Sequence, residues 1–587
     1  MNIHWNLEPV NLEYIARQIE LSHFSWTNKD GKMQIQFTIP RAKGIWGFGE
    51  RFDAFNQEGL QRKNQVVEHF TQQGQDTYLP VPFFLTDSLG FFLQTRLVCT
   101  FVSRRTKNGL RVTIVLPVCD DGVYFFSGNP QKILAGFLSL QEKAVLPPSW
   151  AFGPWMSANR WNDQETVLKE AEKAATYAIP ATVLVIEAWS DEATFYRFNE
   201  GLWPDPKKMI EVLHRQGLHL ILWQIPVLKK LDAGQVHSIH EADCQEAIAN
   251  ALVVTNPDGT PYHIPKGKWF AGGMVPDFTN PHLCQWWFKR REYLLEMGVD
   301  GFKTDGGEFI YTDEVRFHDG SDGTTMQNEY PLSYTKAYAK AIGKDRILFS
   351  RSGYVGSQAT PLHWVGDQLS IWPELPCILH AGLNASVSGI PFWGFDIGGF
   401  AGPLPSAELY LRSFMLATFW PVMQWHSEPL GGQFSQTQSE AVNDRSPWNM
   451  AKHYNDDSIL AICRKFSNLR MELLPYIESE AAYSVFHGEP LMRPLFYSYP
   501  EDDTACAIED EYLFGRSLLI APILTQGDGE REIYLPQGSW LESGTKEILN
   551  GPCHLRRTYD LGHIGVFLKL DFEHAFLKGL SLFTNVR

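Results

Sequence analysis

The chain has 587 residues, 44% of them hydrophobic and 20% charged, an ordinary globular composition long enough for three or four domains. Fifty-one Lys and Arg against 67 Asp and Glu give a net charge of −16, which argues against nucleic acid or an anionic membrane as partner. No apolar run approaches the roughly 18 residues of a membrane span. The start, Met1–Asn6, has neither the basic nor the apolar region of a signal peptide, so a cytoplasmic location is expected. The eight Cys are scattered, with no Cys-x-x-Cys, and fit a reducing compartment better than a zinc site or disulfide framework. Aromatic residues reach 13%, with 19 Trp, and indole faces suit both large cores and sugar rings.

Residues 1–145 read as β-rich. Lys32–Ile39 alternates, and Val81–Thr95 and Leu110–Leu116 are strand-like between closely spaced turns, which predicts a β-sandwich. Leu146-Pro147-Pro148-Ser149-Trp150 marks a boundary.

From about residue 150 the pattern alternates strand and helix. The predicted strands are Ala151–Met156, Ala181–Trp189, His219–Pro226, Val299–Asp305, Arg346–Ser352, His363–Ile371, Ile390–Asp396 and Pro421–His426. The helical stretches between them include Gln164–Tyr177, Pro206–Gln216, Pro281–Met297, Tyr334–Ile342, Cys377–Val387 and Leu409–Phe419. About eight repeats over roughly 280 residues are the size of a (β/α)8 barrel with insertions. A doubly wound sheet would carry a glycine-rich turn after its first strand, and none is present.

Ser458–Tyr483 is a long amphipathic helix, kinked at Pro475, and short strands then return at Tyr512–Pro522, Arg531–Leu535 and Gly565–Leu570. The expected fold is an α/β (β/α)8 TIM barrel (146–486) flanked by an N-terminal β-sandwich (1–145) and a small C-terminal β-sandwich domain (487–587).

In a parallel barrel, chemistry collects at the C-terminal ends of the strands. Those ends supply Glu187, Trp223, Lys303, Asp305, Arg351, Asp367, Asp396 and His426, and loops add Trp269 and Trp364. Acids, cations and indoles suit a polyhydroxylated ligand. Two carboxylates flanking a bond are what glycoside hydrolysis needs. In Val299–Ile310, Lys303 and Asp305 share one face of a strand that ends in Gly306-Gly307, which makes Asp305 a candidate nucleophile. His363-Trp364-Val365-Gly366-Asp367 offers the second carboxylate an apolar wall that would keep it protonated.

Seven motifs in order resemble glycoside hydrolase family 31, the retaining α-glycosidases. They are Trp46–Phe52, with its Gly-x-Gly-Glu-Arg core, Leu146–Gly153, Phe302–Glu308, Phe349–Ser352, Trp364–Asp367, Phe392–Phe400 and Arg445–Trp448. The resemblance spans about residues 40 to 570. It implies that the Glu50-Arg51 loop reaches into the active site and that Asp305 forms a β-glycosyl ester. It further implies that Asp367 is the acid/base, that Lys303, Arg351 and His426 bind sugar hydroxyls, and that Trp223, Trp269 and Trp364 shape the walls. No cofactor and no metal are implied. The expected partner is a small oligosaccharide or glycoside, with homo-oligomer formation left open.

One departure bears on specificity. Family members usually place an Asp at the end of the second barrel strand, where this chain has Glu187, one methylene longer, beside the small Ala188. The expected reaction is retaining, exo-acting α-glycoside hydrolysis, with α-glucoside first and α-galactoside or α-xyloside next. The alternative is α-transglycosylation through the same intermediate, followed by a non-catalytic carbohydrate-binding relative. Many relatives also carry a distal β-domain beyond the C-terminal sandwich, and its absence here points to a short oligosaccharide.

Three weaker signals are set aside. Gly47-Phe48-Gly49 lacks the third glycine and the strand–helix context of a dinucleotide site. Asp313, Glu314, Asp319 and Asp322 miss the calcium-loop spacing. His237, His240 and Asp243 fall in a polar insertion and read as solvated.

Overall fold

Eight short strands close into a parallel barrel in chain order: β1 (Pro154–Ser157), β2 (Val183–Ile186), β3 (His219–Gln224), β4 (Gly301–Thr304), β5 (Ile347–Ser350), β6 (Leu362–Trp364), β7 (Trp393–Asp396) and β8 (Val422–Trp425). β1 pairs with β8 to complete the ring. The computed structural model describes residues 3–6, 21–119, 122–159, 161–428, 443–570 and 575–584. Met1 and Asn2, part of the start read for a leader, lie outside them. No helix among the described residues is long and apolar enough to cross a membrane.

Seven of the eight strands are buried at every position and β3 at all but its first, as expected where helices cover one face and packed side chains fill the other. Asp163, Asp205 and Ser406 cap helices Gln164–Thr176, Pro206–Arg215 and Ala407–Thr418 by accepting first-turn N–H groups.

Several elements differ from the sequence reading, among them the strand expected over His363–Ile371, which is only Leu362–Trp364. Ala151–Phe152 belong to a 3-10 turn, Ser149–Phe152, and the strand begins only at Pro154. Gly153 lies at that boundary and packs so closely on Thr182 that an added Cβ would come within 2.2 Å of its Oγ1. The single helix expected over Pro281–Met297 is two, Pro281–Lys289 and Glu292–Glu296. The break falls at Arg290-Arg291, whose guanidinium groups lie 3.8 Å from the ring centroids of Trp286 and Trp287. The helix expected from Tyr334 starts at Gly323, where Asp322 supplies the cap, and it runs through Pro331 to Ile342.

Among the described residues, the N-terminal region is two five-stranded antiparallel sheets. Phe37, Phe84, Phe91, Phe101 and Phe125 share one core between them. This unit is fixed to the barrel: Gly47 and Gly49 donate N–H groups to Asn384 and Ser388 at 3.0 and 2.8 Å. Trp46 stacks on Phe496 at 3.7 Å. After the barrel, helix Ser458–His487 passes through Pro475 without a break and leads into a six-stranded antiparallel sheet. The long strand Glu530–Glu542 pairs with Ile548–Thr558 across a register shift at Leu535/Gly538, and its end also pairs with Gly565–Lys569. The sheet encloses a core around Leu519, Leu535, Trp540 and Phe567.

Candidate active site

The C-terminal ends of the barrel strands open on a cavity of about 570 Å³, within the usual range for small-ligand sites. Glu187, Trp269, Lys303, Asp305, Arg351, Asp367 and His426 all line it. The other two sequence-predicted residues stand behind the wall. Trp223, at 2% exposure, donates its indole N–H to Asp305 Oδ2 at 2.9 Å. Trp364, equally buried, lies under Lys303, whose Nζ is 4.6 Å from its ring centroid.

Asp305 directly follows β4. The next two residues, Gly306 and Gly307, have φ of +71° and +109°, and a Cβ on Gly307 would sit 2.5 Å from Ser352 Oγ. Only glycine takes that path without strain, so the chain turns away and leaves the carboxylate facing the cavity. Arg351 follows β5. Its Nη1 lies 3.2 Å from Asp305 Oδ1 and 3.5 Å from Asp367 Oδ2. Its Nε and Nη2 make a fork with the two oxygens of buried Glu308, at 3.2 and 3.1 Å. One guanidinium therefore holds three carboxylates. The shared nitrogen also caps the gap between the Asp305 and Asp367 oxygens at the sum of its two distances.

Burial lifts the Asp367 carboxyl to about 8, with the Asp305 anion adding to the rise and Arg351 opposing it. Asp367 is thus an acid at neutral pH. A second charged group lies across the cavity. Lys303 Nζ donates to Glu187 Oε1 at 2.6 Å, and His426 Nε2 is 3.2 Å from the same oxygen. Burial pushes Glu187 up to about 7 against the pull of Lys303. Burial also lowers His426 far below its usual range, with Lys303 reinforcing the effect, so its imidazole is neutral.

The N-terminal unit reaches this cavity, though by a different segment from the one its motif suggested. Glu50 is fully buried and accepts the Trp393 indole N–H at 3.1 Å, while Arg51 donates to the Phe48, Lys63 and Gln75 carbonyls. Neither lines the cavity. They brace the base of loop 65–79, which supplies Glu68 and Phe70 to the rim. Gln73, from the same loop, donates to the Asp367 carbonyl at 2.7 Å. The Tyr78 ring lies 4.8 Å from the Arg351 guanidinium carbon and occupies the place of a Cβ on Gly366, which would be only 2.3 Å away. The sequence reading missed this loop because it has no periodicity. It also missed Lys229, Lys230 and Phe270, which come from the insertion after β3.

Asp396, another strand-end acid, does not line the cavity and accepts from Gln424 at 2.7 Å. His240 and Asp243, read as solvated, are buried at 2% and 5% exposure on helix Ser238–Ala249. His240 contacts the Lys229 carbonyl, and Asp243 accepts from Tyr196 and Arg290. A polar run concealed a helix packed on neighbours distant in sequence. In the acidic run, Asp322 caps helix Gly323–Ile342 and Asp313 accepts from Gln327.

A closed parallel barrel that presents carboxylates, cations and indoles at the C-terminal ends of its strands is the architecture of a carbohydrate-active barrel enzyme. The model of the glycosyl hydrolases family 31 TIM-barrel domain matches residues 144–480, and that of the family's C-terminal domain matches residues 488–571. The chain belongs to glycoside hydrolase family 31. It is 36% identical to an isomaltosyltransferase of Sporosarcina globispora over 96% of this chain and 54% of that protein. A cycloalternan-forming enzyme from Listeria monocytogenes, solved with a pentasaccharide substrate, superposes with a TM-score of 0.87 at 35% identity, over 92% of this chain and 53% of that one. A cycloalternan-degrading enzyme from Trueperella pyogenes, solved with a covalent intermediate, gives 0.87 at 34% identity, over 93% and 80%. The chain thus spans about half the length of the first two.

Proposed function

We propose that this protein is a retaining α-transglycosylase acting on short α-gluco-oligosaccharides. The convergence of Asp305 and Asp367 on Arg351 carries the reading, with Asp367 held protonated at neutral pH. An Asp305 oxygen attacks the anomeric carbon, and the bond from that carbon to the leaving oxygen breaks. Asp367 gives its proton to the leaving oxygen. The result is a β-glycosyl ester on Asp305 and a carboxylate on Asp367. An acceptor hydroxyl then loses its proton to Asp367 and attacks the same carbon, which releases Asp305. Two inversions return the α-configuration. Lys303, Glu187 and His426 hold hydroxyls of the donor sugar, and Trp269 gives it a face to stack on.

Transfer takes precedence over the hydrolysis first expected from the sequence because the isomaltosyltransferase and the cycloalternan-forming enzyme are named for bond formation. Hydrolysis is the second reading, and likeness to the cycloalternan-degrading enzyme favours it. Initial-rate product analysis with maltotetraose as both donor and acceptor tests the choice. Products longer than the donor are expected. Release of shorter sugars alone, at high donor concentration, would assign the protein to hydrolysis. Azide rescue of Asp305→Ala with an activated donor, giving a β-glycosyl azide, tests the nucleophile under either reading.

A further inference from the structure

The opposite end of the barrel carries a second convergence of polar groups. His214 lies in the last turn of helix Pro206–Arg215, His219 opens β3, and Asp300 immediately precedes β4. His214 Nε2 is 2.8 Å from Asp300 Oδ2 and His219 Nδ1 is 3.0 Å from Asp300 Oδ1. One donor atom from each of the three residues falls within 4.8 Å of the others. We propose that His214, His219 and Asp300 form a binding site for a borderline divalent cation of the Zn²⁺ class, separate from the cavity at the barrel mouth.

The donor set and its spacing both fit. Two imidazoles and a carboxylate are ligands that such ions accept, with a fourth position left to water. Ligands at about 2.1 Å around a tetrahedral ion stand roughly 3.4 Å apart. The two nitrogen–oxygen contacts, at 2.8 and 3.0 Å to different Asp300 oxygens, are shorter than that, and the three donor atoms together lie within 4.8 Å, so modest side-chain rotation brings them to one ion. The side chains are open to incoming ions, with 36%, 30% and 18% of the His214, His219 and Asp300 surfaces exposed.

Supporting contacts hold the ligands in place, as metal sites require. Asp300 Oδ2 accepts the Leu220 N–H at 2.8 Å. The His219 ring stacks on Trp150 at 4.1 Å and 10°. Gly298, at φ +105°, leaves room for the His214 ring, whose Cε1 would sit 3.3 Å from an added Cβ. A bound ion would join the end of one helix to the starts of two adjacent strands. At this face of a barrel such a link bears on stability and not on turnover. The sequence hides the site, since its ligands follow no metal motif and Asp300 is distant from both histidines.

The test uses the full-length protein after chelator treatment and removal of the chelator, with Co²⁺ as the probe. One equivalent should bind with the visible bands of a nitrogen-ligated ion. Zn²⁺ should displace it, and Tm should rise by a few degrees at saturation with kcat unchanged. His214→Ala, at a partly exposed side chain, should keep the circular dichroism of the wild type, weaken Co²⁺ binding at least tenfold and abolish the Tm rise. Wild-type protein that binds no Co²⁺ at millimolar concentration would overturn the proposal. So would a folded His214→Ala, His219→Ala double variant that retains both the bands and the Tm rise.

Discussion

Arg351 at the mouth of the barrel and Arg470 at its floor are both buried cations, at 2% and 0% exposure, and their surroundings differ in kind. Arg470 donates to four backbone carbonyls, those of Phe152, Thr418, Trp420 and Pro421, at 2.6 to 2.9 Å. Burial lowers it to about 9. Burial also opposes the charge on Arg351, but Asp305, Glu308 and Asp367 outweigh it and raise that group well above its usual value. The floor answers a buried charge with fixed dipoles that cannot titrate or exchange partners. The mouth answers it with carboxylates that can ionise and take up protons, as the proposed glycosyl transfer requires. A saturated cation serves structure, whereas a cation shared among anions poises chemistry.

This contrast makes predictions, beginning with the largest. Asp305→Ala should lower turnover by about 10⁴-fold or more while far-ultraviolet circular dichroism is unchanged. Stopped assays on product formation would measure it, and residual activity above a hundredth of wild type would remove Asp305 from the chemistry. Arg470→Met should leave four buried carbonyls without donors and lower unfolding free energy by about 3–5 kcal/mol, read from the urea midpoint, with kcat per folded molecule retained. If Arg470→Met instead abolished kcat in folded protein, the division between floor and mouth would fail.

Arg351→Lys should reduce kcat/KM by about 10²-fold, because an ammonium cannot fork to Glu308 and reach both aspartates at once. For the wild type, kcat/KM should fall as pH rises through about 8, where Asp367 loses the proton it must donate. Asp367→Asn should erase that alkaline limb for donors with activated leaving groups.

The smallest effect concerns stability. The folded pKa of Asp367 lies above its ordinary value of 3.8, so between about 4 and 8 the folded protein holds a proton that the unfolded chain lacks, and stability declines as pH rises across that window. Asp367→Asn should accordingly melt a few degrees higher than wild type at pH 8 by calorimetry, and an unchanged Tm would contradict the burial cost.

The barrel was legible because buried parallel strands appear as short apolar runs between periodic helices. Val183–Ile186 and Leu220–Leu222 have no other reading in that rhythm. Asp305 was legible because a charge, a preceding Lys and a Gly-Gly turn sit at one strand end. Loop 65–79 was not, since its meaning lies in partners far along the chain: Gln73 meets the Asp367 carbonyl across 294 residues. Glu50 shows the other failure. Its motif marked the right neighbourhood, but the side chain turns inward to Trp393, and spacing carries no information about which way a buried acid faces.

The Gln73–Asp367 contact also bears on modularity. Asp367, the proposed proton donor, is steadied at its own backbone by a residue from a loop of the N-terminal unit, and Tyr78 from the same loop packs on the arginine that holds both carboxylates. The smallest transplantable part of this molecule is therefore larger than the barrel. A designer moving it onto a foreign N-terminal unit would need to carry residues 65–79 along, and recombination between relatives would be tolerated only where both partners of that contact travel together.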